Sequence, residues 1–197
     1  QTNNTKSTRA RWICGTIVLC LATALPAMAA KIDDNPKVSV IAVDEAKEKK
    51  TMADEIKSLN KGSTRYGSLK KVQPKLAFTA GSFDDVPKGY ELEGYRLYND
   101  ETGRPLSKNN KYLQMNFYKD GKPNDFIYVQ ARLMDEETEF EEETGEGVRE
   151  TKINGHKALV SDRSVDLYVD DVCYMITVGE KLSAGEAVKM AKSLSID

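Results

Sequence analysis

From Leu76 onward, apolar and polar residues alternate with a period of two, the mark of strands that bury one face. In Lys111–Lys119, Leu113, Met115 and Phe117 alternate with Gln114 and Asn116. In Phe126–Leu133, Ile127, Val129, Ala131 and Leu133 alternate with Tyr128, Gln130 and Arg132. The intervening Asp120-Gly121 is a turn signal, so these two strands are predicted to form a hairpin. Tyr90–Tyr98 predicts an earlier strand. Val148–Ile153, Lys157–Ser161, Ser164–Val169 and Val172–Val178 predict four more, with tight turns at Asn154-Gly155 and Asp170-Asp171. Ser183, three residues before Glu186, forms a capping box that starts a last helix. Ala187, Val188, Ala191 and Leu194 line one side of it, the stripe needed to cover a one-sided sheet. The predicted fold is α+β: an antiparallel, meandering sheet with helices packed on one face, including a C-terminal helix.

The pattern differs before Leu76. Met52, Ala53, Ile56 and Leu59 fall at helical spacing opposite Asp54, Glu55, Lys57 and Ser58, and Asn60-Lys61-Gly62 supplies a stop, which predicts a helix over about 44–59. The following stretch to Val72 is polar and carries Lys61, Arg65, Lys70 and Lys71, as expected of a solvated basic linker. Residues 31–75 thus read as a spacer with one helix and a linker, and residues 76–197 as the α+β domain. At the front, Lys6, Arg9 and Arg11 lead into Trp12–Ala30, which holds no charge and ends Ala27-Met28-Ala29-Ala30. Residues 1–30 therefore read as a signal peptide, cleaved after Ala29, or as a single transmembrane anchor with its basic flank inside. Both readings place Lys31–Asp197 outside the cytoplasm. Cys20 follows Val18-Leu19 without the small residue that a lipoprotein signal requires. The chain opens on Gln1 rather than Met, and the anchored reading therefore expects further residues upstream that form a cytoplasmic part.

Composition narrows the function. All 31 acidic residues lie from Lys31 onward against 26 basic ones, a net charge of about −5, which argues against nucleic acid as a partner. Cys14 and Cys20 lie in the apolar segment, leaving Cys173 alone in the exported part; it reads as a small buried hydrophobe with no disulfide to form. The single histidine, His156, follows a turn and reads as a surface residue. There is no Gly-rich phosphate loop and no Cys/His cluster for zinc, so no catalytic, cofactor or metal residue can be named and no cofactor is expected. Tyr90, Tyr95, Tyr98, Tyr112, Tyr118 and Tyr128 crowd the first half of the predicted sheet. They suit a binding surface or the cover of a sheet face.

Two stretches resemble the domain of unknown function 4367. Val86-Pro87-Lys88-Gly89-Tyr90-Glu91-Leu92-Glu93 is similar to its opening motif. The run Thr151–Ala158 with Ile153-Asn154-Gly155, through Tyr174-Met175-Ile176 to Leu182–Ala187, is similar to its later strands and closing helix. The resemblance covers about residues 77–194. It implies the extracytoplasmic domain of a single-pass, anti-sigma-factor-like membrane protein of Gram-positive bacteria. The function expected is that of a non-enzymatic sensor or regulatory domain, held at the membrane by Trp12–Ala30 if uncleaved, with a protein or small molecule as ligand. The alternative is a freely secreted protein binding a lipid, peptide or cell-wall fragment. A secreted hydrolase would need paired carboxylates with separated pKa values in a pocket.

Asp135–Glu146 holds eight acidic residues in twelve. It reads as a solvated loop, with a calcium site or a dock for a basic partner as alternatives; its spacing does not match the EF-hand loop. Calcium titration followed by melting temperature separates them. A solvated loop leaves the melting temperature unchanged, and a cation site raises it.

Overall fold

Left-handed turn residues set the strand boundaries. Asp120 and Gly121 have φ of 51° and 67°, Asn154 and Gly155 have 51° and 84°, and Asp170 has 53°. Pairs of positive φ give hairpin turns whose twist matches that of the flanking strands. The computed structural model describes residues 51–136, 138 and 147–196. Its elements are α1 (Met52–Lys61), β1 (Ser63–Tyr66), α2 (Leu69–Val72), a 3₁₀ turn (Gln73–Lys75), β2 (Ser82–Phe83), β3 (Tyr90–Tyr98), β4 (Tyr112–Lys119), β5 (Lys122–Leu133), β6 (Arg149–Ile153), β7 (His156–Val160), β8 (Ser164–Val169), β9 (Val172–Val178), α3 (Ala184–Lys192) and β10 (Leu194–Ser195).

Eight strands form one sheet in the order β1-β3-β4-β5-β9-β8-β7-β6, every neighbouring pair antiparallel. Two meanders, β3-β4-β5 and β6-β7-β8-β9, meet where β5 pairs with β9 from Ile127↔Val178 to Leu133↔Val172. The fold is therefore α+β with a C-terminal helix, as the alternation predicts. The apolar face carries Leu113, Met115, Ile127, Val129, Ala131, Val165, Leu167, Tyr174 and Ile176, all at most 2 % exposed. Ala187, Met190 and Ala191 of α3 pack on it with no exposure. Each such Leu, Ile or Met side chain contributes roughly 1.5–3 kcal/mol by leaving water. The capping box forms, with Ser183 N donating to Glu186 Oε2 at 2.8 Å. Leu194 lies beyond the helix, in β10 opposite Phe83.

Two expectations are revised. Residues 62–75 are built into the fold: β1 extends the sheet from Ser63↔Tyr98 to Tyr66↔Tyr95, and Val72 is fully buried. Lys70 and Lys71 are exposed, so composition reads as a linker, yet Tyr66, Leu69 and Val72 around them pack on the core. The helices also do not share one face. α1 packs through Ile56, with Met52, Ala53 and Leu59, on Phe126 and Tyr128, whose side chains lie on the face opposite α3. Trp12–Ala30, the spacer up to residue 50 with the first part of the helix expected over 44–59, and most of the acidic run lie outside the described residues. No helix among the described residues is long and apolar enough to cross a membrane.

Gly81 sits where β2, β10 and the sheet converge. Its N–H donates to Tyr174 Oη at 2.9 Å, and a Cβ there would stand 2.7 Å from Ser195 O and from Leu194. Gly81→Ala is expected to cost about 1–3 kcal/mol by overpacking, read as a lower urea midpoint.

Candidate ligand-binding face

A sheet face exposed to water ordinarily carries lysine, glutamate and threonine. Here the face opposite α3 carries, on β3, β4 and β5, amides and phenols together with the guanidinium groups of Arg96 and Arg132, and its amides are buried. Gln114 and Gln130 are 0 % exposed, Asn116 and Arg132 1 %. Burying such groups costs several kcal/mol each unless they are hydrogen-bonded, so they form networks.

The first network runs across β5, β3 and β4. Arg132 Nη2 donates to Gln130 Oε1 at 2.9 Å, and Gln130 Nε2 donates to Tyr98 Oη at 2.9 Å. Tyr98 Oη lies 2.9 Å from Tyr128 Oη. The Arg132 guanidinium stands 5.3 Å from the Tyr112 ring centroid, and Tyr112 meets Tyr98 edge to face at 6.1 Å. Arg132 Nη1 also reaches Thr138 O at 3.5 Å.

The second network centres on Asn60, at the end of α1. Its Oδ1 accepts from Gln114 Nε2 at 2.6 Å and from Asn116 Nδ2 at 2.8 Å. Its Nδ2 donates to Tyr118 Oη at 3.3 Å. Its backbone carbonyl accepts from Ser63 Oγ at 3.0 Å and Arg96 Nη1 at 3.2 Å. Glu93 holds Arg96 through both carboxylate oxygens, at 2.9 Å and 3.1 Å. Gln114 Oε1, buried beside this carboxamide, has no hydrogen-bond partner.

Of the six clustered tyrosines, the structure brings Tyr98, Tyr112, Tyr118 and Tyr128 to this face and sends Tyr90 and Tyr95 into the apolar core. A bulge between Leu92 and Gly94 shifts the alternation of β3 and places Tyr90 and Tyr95 on one side although they are five residues apart. Sequence reasoning reads Asn60 only as a helix stop, and Gln114, Asn116, Gln130 and Arg132 only as an outer face. The available signal was their chemistry, since amides are a poor choice for a face bathed in water.

The other singled-out residues lie elsewhere. Cys173 is fully buried against Met175. His156 opens β7 after the Asn154-Gly155 turn, half-buried. The start of the acidic run is tied down: Asp135 meets Lys111 at 2.5 Å, and Thr138 N donates to Asp135 Oδ1 at 3.2 Å. Thr138 is 2 % exposed, which corrects the solvated reading for that end. Among the described residues no three His, Cys, Asp or Glu side chains gather as a metal site. On the α3 side, a cleft of about 180 Å³ lies between Phe83, Val86, Tyr90, Leu92, Tyr95 and Phe117. Cavities that hold whole ligands run to roughly 300–1,000 Å³, so this one has room for a single apolar side chain.

The sheet and its polar face define an all-antiparallel α+β domain with a built hydrogen-bonding surface. Residues 81–194 match the domain of unknown function DUF4367, and the chain belongs to this family. No curated protein and no solved structure matches it. α1 and β1 precede the matched residues, which bear the polar face except Asn60 and Ser63.

Burial raises the Tyr118 phenol above its ordinary value, partly offset by the hydrogen bond from Asn60, and burial raises Tyr90, Tyr95 and Tyr174 likewise. The folded state therefore holds these protons longer than the unfolded chain. Their contribution is complete below about pH 10 and is lost as pH rises through the folded values. The urea midpoint is expected to fall as pH rises above about 10, the ordinary phenol value, and Tyr118→Phe makes that fall shallower.

Proposed function

We propose that this chain is a non-enzymatic extracytoplasmic sensor or regulatory protein of the anti-sigma-factor-like, single-pass kind, held at the membrane by Trp12–Ala30. The observation that carries the proposal is the seat of Asn60. α1 is the described element nearest in sequence to the apolar segment, and its last turn is hydrogen-bonded into the one face built of buried amides. A ligand that binds that face changes the energy of the α1 contact, and a pull on α1 changes the face. That reciprocity is the minimum needed to couple an outside ligand to a membrane segment. The chemistry of the face favours binding over catalysis. Amides hold hydrogen bonds without exchanging protons, and the raised Tyr118 phenol stays neutral at ordinary pH.

A freely secreted ligand-binding protein is the second reading, favoured by the small residues of Ala27-Met28-Ala29 at a cleavage position. Fractionating a Gram-positive host that expresses the chain with a C-terminal tag tells the two apart. The anchored reading expects intact Trp12–Ala30 in the membrane fraction, with the tag open to protease added outside. A mature chain in the medium beginning at Ala30 or Lys31 overturns it.

A further inference from the structure

We infer that α1 is a displaceable cover and that the face beneath it binds an N-acetylated amino sugar, Asn60 occupying the place of the ligand's acetamido group. The inference rests on the binding role proposed above and names the ligand class for that face.

The first support is the form of the site around Asn60. Two donors, Gln114 Nε2 and Asn116 Nδ2, converge on one carbonyl oxygen at 2.6 Å and 2.8 Å, and a phenol oxygen takes the amide N–H. These side chains sit on β4, in the middle of the sheet, so they are positioned by strand pairing on both sides and not by α1. They form a receptor for a carboxamide.

The second is Gln114 Oε1. It is buried with no donor, which destabilises the covered state. A ligand that brings a hydroxyl beside its carboxamide supplies that donor. An acetamido sugar carries both groups on neighbouring ring carbons. A peptide backbone carries the amide alone, its N–H already matched by Tyr118. Tyr128 pairs with Asn116 across β4 and β5, and Tyr98 and Tyr112 follow Arg96 and Gln114 along the same face, so phenols of the kind that sugars pack on adjoin the site.

The third is how lightly α1 is held. Ile56 is its single fully buried side chain among the described residues, in a small cluster separate from the main core. α3, by contrast, buries Ala187, Met190 and Ala191 in that core. Few buried apolar contacts mark an element that opens below the cost of global unfolding.

The test is calorimetric titration of the full chain, kept in detergent for its apolar first segment, with triacetylchitotriose. The deacetylated trimer and N-acetyl-dialanine amide are titrated in parallel. If binding needs the open form, weakening the cover raises the apparent affinity in proportion to the open fraction. Asn60→Ala and Ile56→Ala are each expected to tighten triacetylchitotriose binding by about tenfold or more, the second without touching any polar group of the face. Gln114→Leu is expected to abolish binding, and the deacetylated trimer not to bind. The inference is overturned if neither cover variant, shown folded by circular dichroism, binds triacetylchitotriose more tightly than the parent chain. It also fails if Gln114→Leu binds as well as the parent, if the deacetylated trimer binds equally, or if the peptide amide binds in its place. A cleaved, secreted chain that still binds the sugar would overturn the anchored reading and leave this one standing.

Discussion

The pairing of β5 with β9 is the constraint on which the rest depends. It joins two local meanders into one eight-stranded sheet through seven consecutive residue pairs. Because side chains alternate along a strand, this register assigns every residue of β5 to one of two faces. Ile127, Val129 and Ala131 go to the side of α3. Tyr128, Gln130 and Arg132 go to the other, beside Gln114 and Asn116 of β4. A slip of one residue would drive Gln130 and Arg132 under α3 and expose the aliphatic side chains.

The two faces are stabilised differently. Under α3 the apolar side chains fill space without polar obligations, and the stability is spread over many contacts. On the opposite face the same depth of burial applies to amides, phenols and a guanidinium, and each must find a partner. Arg132 shows the arrangement: its guanidinium reaches Gln130 and Thr138 and lies over Tyr112. The network is specific in direction and close to complete. Gln114 Oε1, next to the carboxamide brought by α1, is a buried acceptor with no hydrogen-bond partner. A network left one bond short at the contact with a lightly held helix is a natural place for a ligand to compete.

Most of the fold was legible in the sequence. Period-two alternation, Asp-Gly and Asn-Gly turns and the Ser183–Glu186 capping box are local signals, and β3, β8 and β9 fall at the expected residues. The errors arose where tertiary contacts decide. Lys61–Lys71 has the composition of a linker, but Val72 is buried and Tyr66 and Leu69 are partly buried against the core, and this packing outweighs four charges that stay in water. The side taken by α1 was illegible because an amphipathic helix does not say which face of a sheet it meets. The polar cluster was half legible. Alternation placed Gln114, Asn116, Gln130 and Arg132 on one face, but their burial depends on Asn60 of α1, Tyr98 of β3 and the ring of Tyr112.

Native-state hydrogen exchange on the folded chain, followed residue by residue at low denaturant, tests most directly whether α1 is a separable cover. The account predicts that the amide protons of Met52–Lys61 exchange by a sub-global opening, several kcal/mol below the global unfolding free energy, while those of β4, β5 and β9 exchange only by global unfolding. Exchange of the α1 amides at the same free energy and with the same denaturant dependence as the sheet would contradict it, because α1 would then open only when the domain unfolds.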